Sequence, residues 1–242
     1  DLSDENLIRF VRNRKYDISR AIETTRNIKK FYQKHEDLVC GLDGNSFNLI
    51  DQFHGIRIVK GMDKTQDGKT ILMVTSAKIV PMITDEFKKK NPKALLRNII
   101  WIMDRISRDP DCQVNGIICM LSCNGMGFFD LLSVATVLSI EDRKIALKHM
   151  STLGIRMKGL FAFEAPLVLK GIFAIIKPFL SAKLSSRINL LGSDYASVIP
   201  PLIGEEGFKQ CPSAFGGEGG EDIAFDPEMK VKCSDINFVW DP

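Results

Sequence analysis

Residues 160–191 read LFAFEAPLVLKGIFAIIKPFLSAKLSSRINLL. Within this stretch, 167–180 is apolar nearly all round a helical projection, interrupted only by Lys170, Gly171, Lys177 and Pro178. A helix apolar on every face is either buried in a core or turned towards lipid. Fourteen residues at ~1.5 Å each give roughly 21 Å, short of the ~30 Å hydrocarbon layer, so the segment does not span a bilayer. Lys183 and Arg187 follow it one turn apart, and Arg156 and Lys158 stand at the start of the preceding apolar run. From Arg143 to Arg187 there are nine Lys/Arg and one acid, Glu164, a charge of +8 in a chain whose total is +3. Taken alone, that count also fits a solvated helix face. Next to a non-spanning apolar helix, it points to a lid that meets an anionic membrane surface. Pro178 breaks the helix and separates lid from basic segment. Gly171 costs up to ~1 kcal/mol inside a helix, a cost that a moving lid tolerates.

Working outward, Gly116–Cys123 (GIICMLSC) is a continuous apolar run, the pattern of a strand covered on both faces. Its alternation sends Ile117, Cys119, Leu121 and Cys123 one way and Ile118, Met120 and Ser122 the other. Gly55–Gly61, Lys69–Thr75, Met157–Phe163 and Ser185–Leu191 read as further strands. Between them, Glu86–Ile106, Phe128–Ile140 and Glu141–Met150 read as helices, and Asp194–Ile203 as a short one, followed from Gly204 by mostly loop. An order of βαβαβαβ over about 150 residues implies a mainly parallel sheet with helices packed on it. Before the sheet, residues 3–35 form a helical module. Ser3 is its first candidate cap, with Leu7, Phe10 and Val11 inward. After the basic connector Arg12–Tyr16, Asp17 caps a second helix with Ile18, Ala21, Ile22, Ile28, Phe31 and Tyr32 inward. The expected division is 1–45 helical module, 46–220 main domain and 221–242 tail.

Composition bounds the chemistry. The 242 residues are 45% apolar and 26% charged, ordinary for a globular protein. Six cysteines lack C-x-x-C spacing, so no zinc site is expected, and free thiols in a reducing compartment are. No signal peptide or transmembrane run is visible, and a cytoplasmic setting is the expectation. The phosphate-binding, nucleophile-elbow and zinc-protease motifs are missing, and His35, His54 and His149 sit in three separate elements. Asp63, Thr65, Asp67 and Gly68 match half of a calcium loop, but Val74 stands where a bidentate Glu belongs, so the segment reads as a hairpin turn. The loop Asn124–Gly127 lacks the Lys-Ser/Thr of a phosphate loop. The expectation is a non-enzyme with no metal and no cofactor.

The sequence NLIRFVRNRKYDISRAIE, the strand NGIICMLSCNGMGF, the run KGLFAFEAPLVLKGIFAIIKPFL and the closing FGG occur together in order. In this the chain resembles the CRAL-TRIO family of lipid-transfer proteins over essentially its whole length, with IIKPFLSAKLSSRI closest to the tocopherol-transfer and retinaldehyde-binding branch. The resemblance implies an α/β fold in which helices and a mainly parallel sheet enclose one lipid cavity closed by a gate helix, after an all-helical N-terminal module. It implies a pocket lined by Leu96, Ile99, Met103, Ile117, Leu121, Phe128, Ile145 and Leu160, with Leu169, Ile172, Phe173 and Ile176 from the gate. The branch's phosphoinositide groove falls on Arg156, Lys158, Lys183 and Arg187. The implied partners are one hydrophobic lipid (a tocopherol, retinoid, carotenoid or similar isoprenoid, or alternatively a phospholipid) and an anionic membrane touched transiently, with no nucleic acid, for a monomeric protein. The rival readings are a protein-interaction scaffold with a collapsed cavity and a small-molecule enzyme built around His149 or Glu164. Three features depart from the family pattern. Ser122 stands where an acid is usual, Ser213 and Ala214 replace a polar-acidic pair, and two to four extra residues lie within 130–143.

Overall fold

The computed structural model describes residues 4–40, 56–57, 64–80, 89–90, 92–179 and 182–220. Five strands form one sheet: Ile56–Arg57 (β1), Thr70–Thr75 (β2), Ile117–Ser122 (β3), Met157–Phe163 (β4) and Ile188–Leu190 (β5). Their spatial order is β1-β2-β3-β4-β5, with β1 antiparallel to β2 and the other four parallel. The α/β reading with a mainly parallel sheet is therefore correct.

Strands consecutive in sequence are also neighbours in space, and parallel crossovers are right-handed. All crossover helices must then fall on one face. The helices are Asp4–Asn13 (α1), Ile18–Lys34 (α2), Glu36–Val39 (α3), Ser76–Ile79 (α4), Ala94–Arg108 (α5), Pro110–Asn115 (α6), Phe128–Val137 (α7) and Ile140–Thr152 (α8). They continue with Leu167–Ile176 (α9), Ala182–Ser185 (α10), Tyr195–Val198 (α11) and Pro200–Gln210 (α12). On the crossover face, Leu72 and Ile117 pack with Leu96, Ile100, Ile102 and Ile106 of α5 and with the buried side of α2. On the opposite face, Ile71, Met73, Ile118, Met120 and Phe163 are sealed by Tyr195, Ile199, Cys211 and Phe215 from the C-terminal segment.

The helical module docks on the crossover side. Asp17 caps α2 as expected, accepting from the Arg20 amide at 3.0 Å. The α1 end closes as a Schellman motif, with Tyr16 N–H donating to Val11 O and Lys15 N–H to Arg12 O, and Lys15 in the left-handed region at φ 56°. Arg9 and Arg108 converge on Asp104, at 3.1 and 2.7 Å, and the Tyr32 hydroxyl adds a third bond at 3.2 Å. Burial alone would raise the Asp104 carboxyl, but Arg108 and Arg9 outweigh it and hold it well below the carboxylate range.

Several boundaries differ from expectation. The helix expected over Glu86–Ile106 is broken by a turn at Pro92 and Lys93, where proline removes a backbone donor, and resumes as Ala94–Arg108. Ile18 and Ile22 are exposed rather than inward; the buried stripe of α2 is Ala21, Thr24, Ile28, Phe31 and Tyr32. The last strand is only Ile188–Leu190, since Ser185 still belongs to α10. Helix continues past Gly204 to Gln210, with a kink where Gly204 takes φ 85°. Ser3, the break at 41–45, His54, Cys233 and the tail at 221–242 lie outside the described residues, as does most of the 55–61 strand.

Candidate functional site

The two faces of the sheet are covered unequally. Neighbouring residues across the parallel strands point the same way, giving the rows Leu72–Cys119–Leu160–Ile188 and Val74–Leu121–Ala162–Leu190 on the crossover face. Leu72 and Ala162 are buried there, but Val74, Cys119, Leu121, Leu160, Ile188 and Leu190 keep accessible surface. The opposite rows hold Met73 and Met120 at 1% and 0% exposure. Desolvation pushes the Cys119 thiol up to about 12. Its neighbours along the row, Leu72 and Leu160, are apolar, so no polar group offsets that desolvation.

Helix α9 belongs to the crossover after β4 and runs over this side. It starts after Pro166 and gives way at Lys177–Phe179 to a 3₁₀ turn containing Pro178. Among the described residues, no sheet strand or other α-helix packs extensively on it. Leu167 is 83% exposed and Val168 39%, while Leu169 and Phe173 are half-buried. A Cβ at Gly171 would meet nothing within 4 Å. The described side chains of α9 are thus only partly covered by the described elements. Its origin is pinned, however. Glu164, at φ 49°, donates its amide to Gly192 O, Ala165 donates to Leu191 O, and the Tyr195 hydroxyl donates to Glu164 Oε1 at 3.0 Å.

The residues expected to line a pocket divide by position. Leu96 and Ile117 are buried in the core, with Ile99, Met103 and Ile145 half-buried against it. Leu121 and Leu160 lie on the incompletely covered sheet face, and Leu169 and Phe173 on α9. Phe128 stands 56% exposed at the start of α7. The Ile172 and Ile176 side chains lie outside the described set. His149 and Glu164 are not brought together: His149 packs against Phe31 of α2, while Glu164 caps the end of β4. Among the described residues no group of three metal-ligating side chains occurs, and no helix is long and apolar enough to cross a membrane.

Arg156, Lys158, Lys183 and Arg187 do converge. They line one cleft of about 380 Å³ with Ile155, Met157, Leu184 and a residue that sequence reading missed, Lys15. No carboxylate is among the lining residues, and none of the five cations forms an ion pair within the described structure. Both guanidiniums are braced by main chain: Arg156 Nη2 donates to the Gln113 and Val114 carbonyls and Arg187 Nη1 to Met157 O. Partial burial, then the charges of Arg156, Arg187, Lys69 and Lys15, push the Lys158 ammonium down from its ordinary value. Gly116, at φ 89°, lets the chain pass underneath, since a Cβ there would lie 2.4 Å from Arg156 O and 2.9 Å from Lys158 Cγ. Such a cluster is suited to a multiply charged anion bearing phosphate oxygens. The signal for Lys15 was the basic connector Arg12–Tyr16, whose left-handed turn delivers it to the cleft.

The chain resembles proteins of known name. It is 25% identical over 226 residues to the human alpha-tocopherol transfer protein-like protein, covering 91% of this chain and 60% of that one. It is 26% identical over 230 residues to the SEC14 cytosolic factor of Candida glabrata, covering 92% and 73%. It is 25% identical over 219 residues to rat Clavesin-1, covering 88% and 57%. The chain thus spans about 60% of the length of the tocopherol-transfer-like relatives it matches. In fold it superposes on the crystal structure of Sfh5 with a TM-score of 0.52 at 12% identity, covering 98% of this chain and 76% of that one. The model of the CRAL/TRIO domain matches residues 52–217, well over half of the sequence, and the chain belongs to the CRAL/TRIO lipid-binding and transfer family.

Proposed function

We propose that this protein holds one hydrophobic molecule between its sheet and α9 and exchanges it at anionic membranes, without catalysing a reaction. The observation that carries the reading is the unequal coverage of the sheet. One face is sealed, and the other leaves a half-covered apolar floor at Val74, Cys119, Leu121 and Leu160 beneath a weakly packed apolar helix. Apolar burial at ~25 cal/mol per Å² supplies affinity without directional contacts, and such a floor offers few polar groups to fix orientation. An isoprenoid of the tocopherol, retinoid or carotenoid type fits that chemistry, and the likeness to a tocopherol-transfer-like protein supports it.

The cationic cleft is the membrane-facing half of the proposal. Lys15, Arg156, Lys158, Lys183 and Arg187 would take a phosphoinositide headgroup, favouring release of α9 and transfer of the ligand. The setting that fits is the cytoplasm, with transient membrane contact and a monomer as the working unit, the module 1–45 and tail 221–242 flanking the lipid domain.

Native purification followed by organic extraction and mass spectrometry tests the central claim. The expected result is one lipid species at near-stoichiometric amount. An empty protein that also fails to take up a fluorescent lipid would overturn the reading and leave an interaction scaffold. Recovery of phosphatidylinositol or phosphatidylcholine instead would redirect it to phospholipid exchange.

A further inference from the structure

His149 has none of its surface accessible, yet neither Nδ1 nor Nε2 has a hydrogen-bond partner among the described residues. A neutral imidazole carries one donor and one acceptor, so both remain unused in the protein interior. The ring lies where α8 packs on α2, 5.0 Å from the Phe31 ring and 5.9 Å from that of Tyr32. This is the seam between the helical module and the rest of the fold.

The charged and titratable groups around it are already committed. From α5 comes Asp104, with Arg108 behind it; from α1 comes Arg9; from α2 comes Tyr32, with His35 on the far side of Phe31. Asp104 Oδ1 accepts from Arg9 and Tyr32, and Oδ2 from Arg108. Arg9 is buried and Arg108 about a quarter exposed, so the Arg9 guanidinium is the cation that shares the interior with His149. A proton on His149 places a second buried cation near Arg9, with neither ring nitrogen hydrogen-bonded to Asp104 or to any other described group.

We propose that His149 is an acid-sensitive clasp, whose protonation loosens α1 and α2 from α5 and α8 and withdraws Lys15 from the cationic cleft. The mechanical link is short. Asn13, at the end of α1, donates to Leu153 O just past α8, Gly154 lies against Asn13 and Arg14, and Lys15 follows directly. Burial lowers the His149 pKa to about 4, with Arg9 adding to the effect and Asp104 opposing it, against an ordinary 6.5. The released state therefore binds more protons than the docked one. Docking is fully favoured above about 6.5 and weakens about tenfold per pH unit as the pH falls from there towards about 4. The clasp stands on the packing alone, and only its effect on anion binding rests on the function proposed above.

The test follows the His149 imidazole and the backbone amides by NMR between pH 7.5 and 4.5, in the wild type and in His149→Phe and His149→Gln. The expected result is loss of the docked α2 signals in the wild type while β3 and β4 signals persist, and no such step in His149→Phe. Simultaneous loss of α2 and β3 signals, a His149→Phe profile that follows the wild type, or a His149 that titrates near 6.5 with α2 unmoved would each overturn the clasp. Should neither variant fold, the wild-type His149 titration decides alone. Binding to phosphatidylcholine vesicles containing phosphatidylglycerol, whose charge is constant over this range, is measured in parallel. Weaker binding as α2 releases supports the whole proposal. Release of α2 with vesicle binding unchanged keeps the clasp and overturns its link to the cleft.

Discussion

The hydroxyl of Tyr195 donates to Glu164 Oε1 at 3.0 Å, tying α11 to the residue from which the chain turns into α9. The ring of Tyr195 stacks on Phe163 at 4.9 Å, and Gly216 lies directly against it, leaving room for a Cβ only 2.9 Å from the ring. The start of the apolar helix is thus fastened to the C-terminal wrap. Burial and the Glu164 carboxylate together push the Tyr195 phenol up to about 12, so the hydroxyl keeps its proton and remains a donor at neutral pH. Tyr195→Phe keeps the stacking and loses the bond. A loss of about 1 kcal/mol in stability is expected from the urea midpoint. An unchanged midpoint would mean that water replaces the phenol at Glu164 without cost.

Asp104 is the keystone of the module seam. Asp104→Asn leaves the buried Arg9 and the part-exposed Arg108 facing a neutral amide, and stability should fall by about 3 kcal/mol. The folded-state pKa is depressed, so the contribution of Asp104 is complete above its ordinary value near 3.8 and is lost as the pH falls below it. Denaturant titrations of wild type and variant should therefore converge in strong acid. Curves that stay parallel would sink this account.

Gly116 holds a backbone conformation that side chains rarely adopt, directly beneath Arg156 and Lys158. Gly116→Ala should cost on the order of 1–3 kcal/mol in stability and displace both cations. Thermal unfolding measures the first effect and binding of inositol phosphates the second. A variant that loses neither would show that the loop relaxes freely.

The Lys15 and Lys183 side chains make no hydrogen bond among the described residues, unlike the two arginines of the cleft. Lys15→Ala and Lys183→Ala should each weaken binding to anionic vesicles about fivefold, corresponding to about 1 kcal/mol per basic residue. Lipid loading should be unaffected. Vesicle sedimentation with loading monitored in the same samples separates the two readouts. Equal binding by wild type and both variants would reduce the cleft to a solvated surface.

The parts of this architecture that local chemistry dictates were readable in the sequence. Met157–Phe163 is legible because the apolar run Leu160–Phe163 follows a basic entry at Arg156 and Lys158 and ends at an acid, Glu164. The alternation in Ile117–Ser122 placed each side chain on its proper face. What escaped depends on contacts distant in sequence. Lys15 reaches the cleft through a left-handed turn that no periodicity announces. Ile18 and Ile22 look like core residues, but α2 buries Thr24 instead, whose hydroxyl accepts from Arg14 at 2.7 Å. Ser122 looked like a lost acid, yet its hydroxyl donates to Ala214 O at 2.5 Å, so two departures from the family pattern meet each other. Tertiary pairing decided these positions, and a pattern of near neighbours does not contain it.

The sequential strand order has a mechanical corollary. With every crossover thrown to one side, the C-terminal wrap closes the other face of the sheet, and the proposed gate motion would be confined to the crossover side. Movement of α9 then breaks no strand pairing and unseats none of the Phe163–Tyr195–Phe215 packing. On the proposed reading, ligand entry would move α9 while leaving the sheet geometry nearly constant.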